Sequence, residues 1–171
     1  MQLQIKNKWI SLRGSSIVHD MEDKDYLKVK GKFFTFTAKK FINNLNDETL
    51  YIVRNKFWSL FGRKAFIMDK DGNIITTVRR KIFSLHDRYF IESSRGAMEI
   101  KGNILQFDYH ITVDGREIGH IARRISLRDS FVLDIPDDED AAYFVALVIA
   151  IDNITDRKDR NTSSMMDSSV N

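Results

Sequence analysis

At 171 residues the chain is long enough for one domain with a sizeable core, and 43% hydrophobic with 30% charged residues is ordinary for a soluble globular protein. With no cysteine it has no disulfide framework, no thiol catalysis and no Cys-ligated metal, which suits a reducing compartment. The net charge of +3 hides an asymmetry: residues 1–130 hold 24 Lys+Arg against 15 Asp+Glu, and residues 131–171 hold 3 against 9.

The N-terminal stretch Met1-Gln2-Leu3-Gln4-Ile5-Lys6-Asn7-Lys8 lacks the apolar core of a signal peptide. The longest apolar run, Ala141 to Ile151, is roughly half of what a helix needs to span a bilayer. The expectation is a cytoplasmic protein, peripheral to a membrane at most.

The first 135 residues repeat. The unit starts with an apolar residue and a base, passes through two mostly apolar residues and ends on a Ser/Thr-like residue and another apolar one. It reads Ile5-Lys6-Asn7-Lys8-Trp9-Ile10-Ser11-Leu12, then Val29-Lys30-Gly31-Lys32-Phe33-Phe34-Thr35-Phe36. It returns as Val53-Arg54-Asn55-Lys56-Phe57-Trp58-Ser59-Leu60 and Val78-Arg79-Arg80-Lys81-Ile82-Phe83-Ser84-Leu85, with weaker copies from Ile100 and Ile121. A period in the low twenties calls for an architectural explanation. Turn signals separate the copies, at 20–25, 43–48, 69–73, 93–96 and 113–116, and Asp-Gly between alternating apolar segments marks a hairpin. Each period therefore holds two strands, about twelve in all, the last near Phe131 to Ile135. A leucine-rich repeat shares the period, but its spaced leucines and asparagine ladder are missing, and hairpin turns argue against parallel coils. Twelve antiparallel strands would curl, split or close. Closure removes the edges and leaves a lumen too wide for strand side chains alone to fill.

The filling is the run Ala141-Ala142-Tyr143-Phe144-Val145-Ala146-Leu147-Val148-Ile149-Ala150-Ile151. As a helix it is apolar on every side and must be surrounded by protein. Pro136 ends the last strand, and Asp137 or Asp138 is placed to cap the helix, with acids in its first turn. Ala142, Ala146 and Ala150 form a stripe of small residues for close approach to the wall. The fold class is thus mostly β: a closed twelve-stranded antiparallel barrel around a central hydrophobic helix near 138–154. Residues 1–155 form one domain, and 156–171 are expected to be a disordered polar tail.

The basic-aromatic-aromatic-Ser units and the ending Asp137-Asp138-Glu139-Asp140, followed by Phe144 to Asp152, resemble the LURP-one-related family in its short bacterial form. That family is similar to the tubby C-terminal domain and the phospholipid scramblases. The resemblance covers about residues 1–155 and implies a tubby-like barrel with a buried C-terminal helix. For function it implies little and does not fix a ligand. Tubby domains bind a phosphoinositide headgroup through basic wall residues, and no motif here assigns those residues one by one.

Among candidate sites, the basic repeat positions lead. Residues two apart in a strand share a face, so Lys30 with Lys32, Arg54 with Lys56 and Arg79 with Lys81 point outward if the preceding valines point in. Such a belt would attract an anionic phospholipid surface or a phosphorylated small ligand. The plainer reading, and the one favoured, is a solvated outer face that also discourages sheet-edge aggregation. The alternative function is a regulatory or scaffold protein acting through another protein. Nucleic acid is a weaker partner, because the aromatics recur in step with the strands and read as packing. Asp69-Lys70-Asp71-Gly72-Asn73 opens like a calcium loop but lacks the later ligands and reads as a hairpin turn. The acidic run 137–140 reads as capping rather than a cation site. His19, His86, His110 and His120 lack metal-ligand spacing, and Asp108-Tyr109-His110 and His86-Asp87 lack an accompanying nucleophile motif. No enzyme activity, cofactor or metal is expected.

Overall fold

A computed structural model describes residues 1–6, 15–31, 39–55, 64–80, 87–103, 108–124 and 130–167. Their first six strands are β1 (Gln2–Lys6), β2 (Ser15–Asp20), β3 (Asp25–Gly31), β4 (Lys40–Asn43), β5 (Thr49–Asn55) and β6 (Lys64–Asp69). The next six are β7 (Ile74–Arg80), β8 (Asp87–Ser93), β9 (Gly96–Asn103), β10 (Asp108–Val113), β11 (Arg116–Arg124) and β12 (Ser130–Asp134). Each pairs antiparallel with its sequence neighbours, and β1 closes the barrel by pairing with β12, Leu3 opposite Leu133 and Ile5 opposite Phe131. The expected closed twelve-stranded barrel is what the chain forms.

The short turns that join β2 to β3, β4 to β5, β6 to β7, β8 to β9 and β10 to β11 all lie at one rim. Three share one construction. Asp20, Asn44 and Asp69 each accept two backbone N–H groups with a side-chain oxygen, and the residue three further on bonds back to their carbonyls. That residue is left-handed in every case: Asp23 at φ 64°, Asp47 at φ 68° and Gly72 at φ 92°. Asp69 also accepts from Asn73 Nδ2 at 2.9 Å, so both its oxygens bond within the turn. The turn at Asp114-Gly115 has positive φ at both positions (49° and 80°), as a two-residue type I′ hairpin requires.

Side chains alternate across the wall. Leu3, Ile5, Val18, Leu27, Val29, Val53, Ile67, Val78, Tyr89, Ile100, Tyr109, Ile111 and Leu133 are buried inside. The helix α1 (Ala141–Asp167) enters through the turn rim, and every residue from Ala141 to Ile151 is at most 6% exposed. It lies nearest β5 and β6, where the inward Ala65 is fully buried. A large side chain buried this completely contributes about 1.5–3 kcal/mol, and Tyr143, Phe144, Leu147, Val148, Ile149 and Ile151 all qualify. Towards the other rim the interior turns polar. Ser16, Asn55, Asp152 and Asn153 are buried there, and Asn55 Nδ2 donates to the Asn153 carbonyl at 3.4 Å.

The helix differs from the sequence reading in three ways. It starts at Ala141 rather than near 138, because Pro136 to Asp140 form a turn. Its cap is Asp140, not Asp137 or Asp138: Oδ1 accepts from Tyr143 N at 3.0 Å, and the Asp140 carbonyl from Phe144 N at 3.1 Å. The acids consequently precede the helix, and none lies in its first turn. The helix also continues past Ile154 to Asp167, since no Pro or Gly follows to stop it. Among the described residues, no helix is long and apolar enough to cross a membrane.

Candidate functional site on the outer wall

Val29, Val53 and Val78 are buried in the lumen, so their neighbours Lys30, Arg54 and Arg79 stand on the outer wall, as their parity requires. The register adds a regularity. Lys30 lies opposite Phe41, Arg54 opposite Phe66 and Arg79 opposite Phe90, each pair joining adjacent strands. The Arg54 guanidinium sits over the Phe66 ring, 5.5 Å from its centroid, and Lys39 Nζ lies 5.1 Å from that of Phe41. Phe90 is 42% exposed. Lys32, Lys56 and Lys81, the other expected members of the belt, lie outside the described residues.

Two belt members are already engaged. Lys30 Nζ is 2.9 Å from Asp47, which Lys28 also reaches at 3.0 Å, and Arg79 is 2.8 Å from Glu92. Hydrogen bonds from Lys30 and then Lys28 hold the Asp47 carboxyl below the usual carboxylate range. These pairs are exposed to water, where an ion pair is worth about 0–1 kcal/mol, so a phosphate can compete for the bases.

Charge is segregated along the barrel axis. Odd strands run away from the turn rim and even strands run towards it. Lys30, Arg54, Arg79, Arg80 and Lys101 lie near the far ends of odd strands, and Lys40, Lys64 and Arg88 at the starts of even ones. The turn rim instead gathers Asp20, Glu22, Asp23, Asp47, Glu48, Asp69, Asp71 and the run 137–140. The uneven charge of the sequence thus becomes a basic half and an acidic rim.

At that acidic rim Asp140 is fixed by more than its cap. Tyr51 donates to its Oδ2 at 2.5 Å and Arg95 at 2.6 Å, and Arg95 also donates to the Tyr51 hydroxyl at 3.0 Å. The Arg95 guanidinium lies 4.3 Å from the centroid of the Tyr143 ring, whose hydroxyl meets Thr76 Oγ1 at 2.9 Å and donates to Ser93 Oγ at 3.2 Å. Burial, and then the hydrogen bond to Asp140, push the Tyr51 hydroxyl up to about 12. Burial also works against the Asp140 carboxylate, but hydrogen bonds from Tyr51, the Tyr143 amide and Arg95 outweigh it and lower its pKa. The cluster is a clamp on the helix entrance, so Asp140 is committed to structure.

Spacing along the sequence does not show where the histidines meet in space. Asp108 and His110 are two apart on β10 and share its outer face, and a bulge in β11 sets His120 directly opposite His110. Asp108, His110 and His120 consequently converge as one group able to hold a metal ion. His19 lies apart from them, with Nδ1 3.2 Å from Asp25, and His86 is outside the described residues.

Comparison with curated proteins gives no match. A solved X-ray structure of a protein from Arabidopsis thaliana is similar over 90% of each chain, with a TM-score of 0.65 and 15% sequence identity, a likeness of fold. The family model described as LURP-one-related matches residues 1–152, from the start of β1 into the buried helix. A match over the whole barrel, on a tubby-like fold, shows that this chain belongs to the LURP-one-related family.

Proposed function

We propose that the chain is a non-catalytic module that docks on anionic phospholipid surfaces through the basic half of its barrel wall. The observation that carries this reading is the segregation of charge along the barrel axis, with Lys30, Arg54 and Arg79 each set opposite an outward phenylalanine. A base held near an anionic leaflet is attracted by about 1 kcal/mol. Several acting together give reversible binding, and the aromatic rings suit the headgroup boundary. The acidic rim would face away from the bilayer. With the lumen occupied by α1, the outer surface is where a ligand has access.

The test is co-sedimentation with phosphatidylcholine vesicles, with and without phosphatidylserine, at low salt. The reading expects binding that needs phosphatidylserine, falls steeply with added salt and is lost in the triple variant Lys30→Glu/Arg54→Glu/Arg79→Glu. Equal binding to both vesicle types, or none to either, would overturn it. A salt-tolerant association with another protein in place of vesicles would favour the scaffold role instead.

A further inference from the structure

We propose that Asp108, His110 and His120 bind one divalent transition-metal ion of the zinc class on the outer wall of the barrel. Their donor atoms lie within 4.8 Å of one another. Asp108 Oδ1 is 2.5 Å from His120 Nε2, a hydrogen bond that the metal ion would replace, and 4.0 Å from His110 Nε2. Donors around a tetrahedral zinc ion, at bond lengths of about 2.0–2.1 Å, stand roughly 3.3 Å apart. The two Asp108 separations must open and close by less than about 1 Å each, and the His110–His120 separation, at most 4.8 Å, must close by up to roughly 1.5 Å. All three side chains are between a third and a half exposed, so rotation of the side chains supplies that adjustment without moving the sheet.

The arrangement around the three donors is what a metal site uses. Glu117 Oε1 lies 3.0 Å from His110 Nδ1. A carboxylate only accepts, so Nδ1 carries the hydrogen, and in the neutral form that a metal requires the lone pair is then on Nε2, on the side of Asp108. A lone pair and a carboxylate oxygen that face each other are stabilised by a cation between them. The carboxylate–histidine pairing is also the usual outer support of a metal-bound imidazole. The two rings stack with centroids 4.7 Å apart and planes 23° apart, which holds both on one side of Asp108.

The neighbouring strands favour a cation as well. Lys101 stands opposite His110 on β9, but its ammonium is held by Glu99 at 2.9 Å. Asp134 stands opposite His120 on β12, accepts from Gln2 Nε2 at 2.7 Å and adds negative charge. The register of the hairpin brings the cluster together through a bulge of the kind that also follows the turns of β2–β3, β4–β5 and β6–β7. Counting from the Asp114-Gly115 turn would pair His110 with Gly119 and send His120 into the lumen. The extra residue, Ile118, shifts the register so that Ile111 meets Gly119 and His110 meets His120, which brings His120 out beside Asp108 while Glu117 keeps its outward place. Three protein donors leave the remaining coordination position to water, so affinity is moderate.

The experiment is calorimetric titration of the full chain with Zn2+, with Co2+ absorption as a report on coordination. The expected result is one Zn2+ per chain at a Kd of about 10 μM or tighter. His110→Ala and His120→Ala each weaken binding at least tenfold and abolish the visible Co2+ bands, while His19→Ala changes neither. Glu117→Gln weakens binding by about tenfold and shifts the His110 tautomer away from Nδ1–H in nitrogen NMR; a purely structural role would shift the tautomer but leave Zn2+ affinity unchanged. In the unmutated protein Zn2+ moves the imidazole resonances of His110 and His120 and leaves those of His19 unmoved. Non-saturable binding, a stoichiometry unaffected by His110→Ala and His120→Ala, or resonance shifts confined to other histidines would overturn the proposal.

Discussion

Replacing Asp140 tests whether the helix is locked into the barrel at its entrance. In Asp140→Ala the Tyr143 amide loses its cap, a change that costs about 1 kcal/mol. Arg95 loses a carboxylate at 2.6 Å, and with side chains 36% and 32% exposed that pair is worth about 1 kcal/mol after solvent screening. The Tyr51 hydroxyl loses its acceptor, a further few tenths of a kcal/mol. The sum of about 2–3 kcal/mol corresponds to a fall in Tm of roughly 5–10 °C for a domain of this size. Asp140→Asn keeps the cap and removes the charge, so it should fall by only about 2–4 °C.

The pH dependence follows from the lowered pKa of Asp140, whose model-compound value is 3.8. Below that value the unfolded chain takes up a proton before the folded one does. The stabilisation is therefore complete above pH 3.8 and disappears as the pH falls through the lower, folded value. The Tm gap between wild type and Asp140→Asn should be constant near neutrality and close in acid. Thermal unfolding followed by circular dichroism measures both. An Asp140→Ala protein that melts with the wild type, or an Asp140→Asn gap that widens in acid, would refute the clamp.

Three other substitutions test separate parts of the wall and core. Gly102→Ala would place its Cβ 2.0 Å from the Asp108 carbonyl oxygen and 2.8 Å from Tyr109 Cα, both backbone atoms. Strands β9 and β10 must part, so urea titration should show a loss of roughly 3 kcal/mol or more, and Zn2+ binding should fall with the displaced Asp108. Tyr143→Phe removes the hydroxyl shared by Thr76 and Ser93, which still bond each other at 3.1 Å, so the loss should be near 1 kcal/mol in the same titration. Gly72→Ala forces a side chain into φ 92° and should cost about 1 kcal/mol, whereas Asp23→Gly, at the equivalent position of another turn, should be tolerated.

Much of the fold was legible because it rests on local pattern. The all-round apolar run 141–151 has only one kind of home, and the strand-and-turn repeat supplies the material to enclose it. What escaped the sequence was chosen by distant residues. Four consecutive acids are nearly equivalent as helix caps, and Asp140 is selected by Tyr51 and Arg95, which arrive from β5 and the turn after β8. The parity rule placed Lys30, Arg54 and Arg79 outside, but the ion pairs of Lys30 with Asp47 and of Arg79 with Glu92 depend on register. The histidine cluster was hidden for a similar reason. His110 and His120 are ten apart, and parity across a plain hairpin puts them on opposite faces until one bulged residue is counted. The Asp114-Gly115 turn fixes where counting begins, and nothing in Arg116 to His120 announces the bulge.

The functional reading depends on α1 occupying the lumen, which leaves the outer wall to meet ligands. Hydrogen exchange of the amides between Tyr143 and Ile151 tests this most directly. The enclosed helix should contain the slowest-exchanging amides of the chain, released only by global unfolding. Exchange there as fast as in the hairpin turns would mean that the helix leaves the barrel, and the assignment of function to the wall would fall with it.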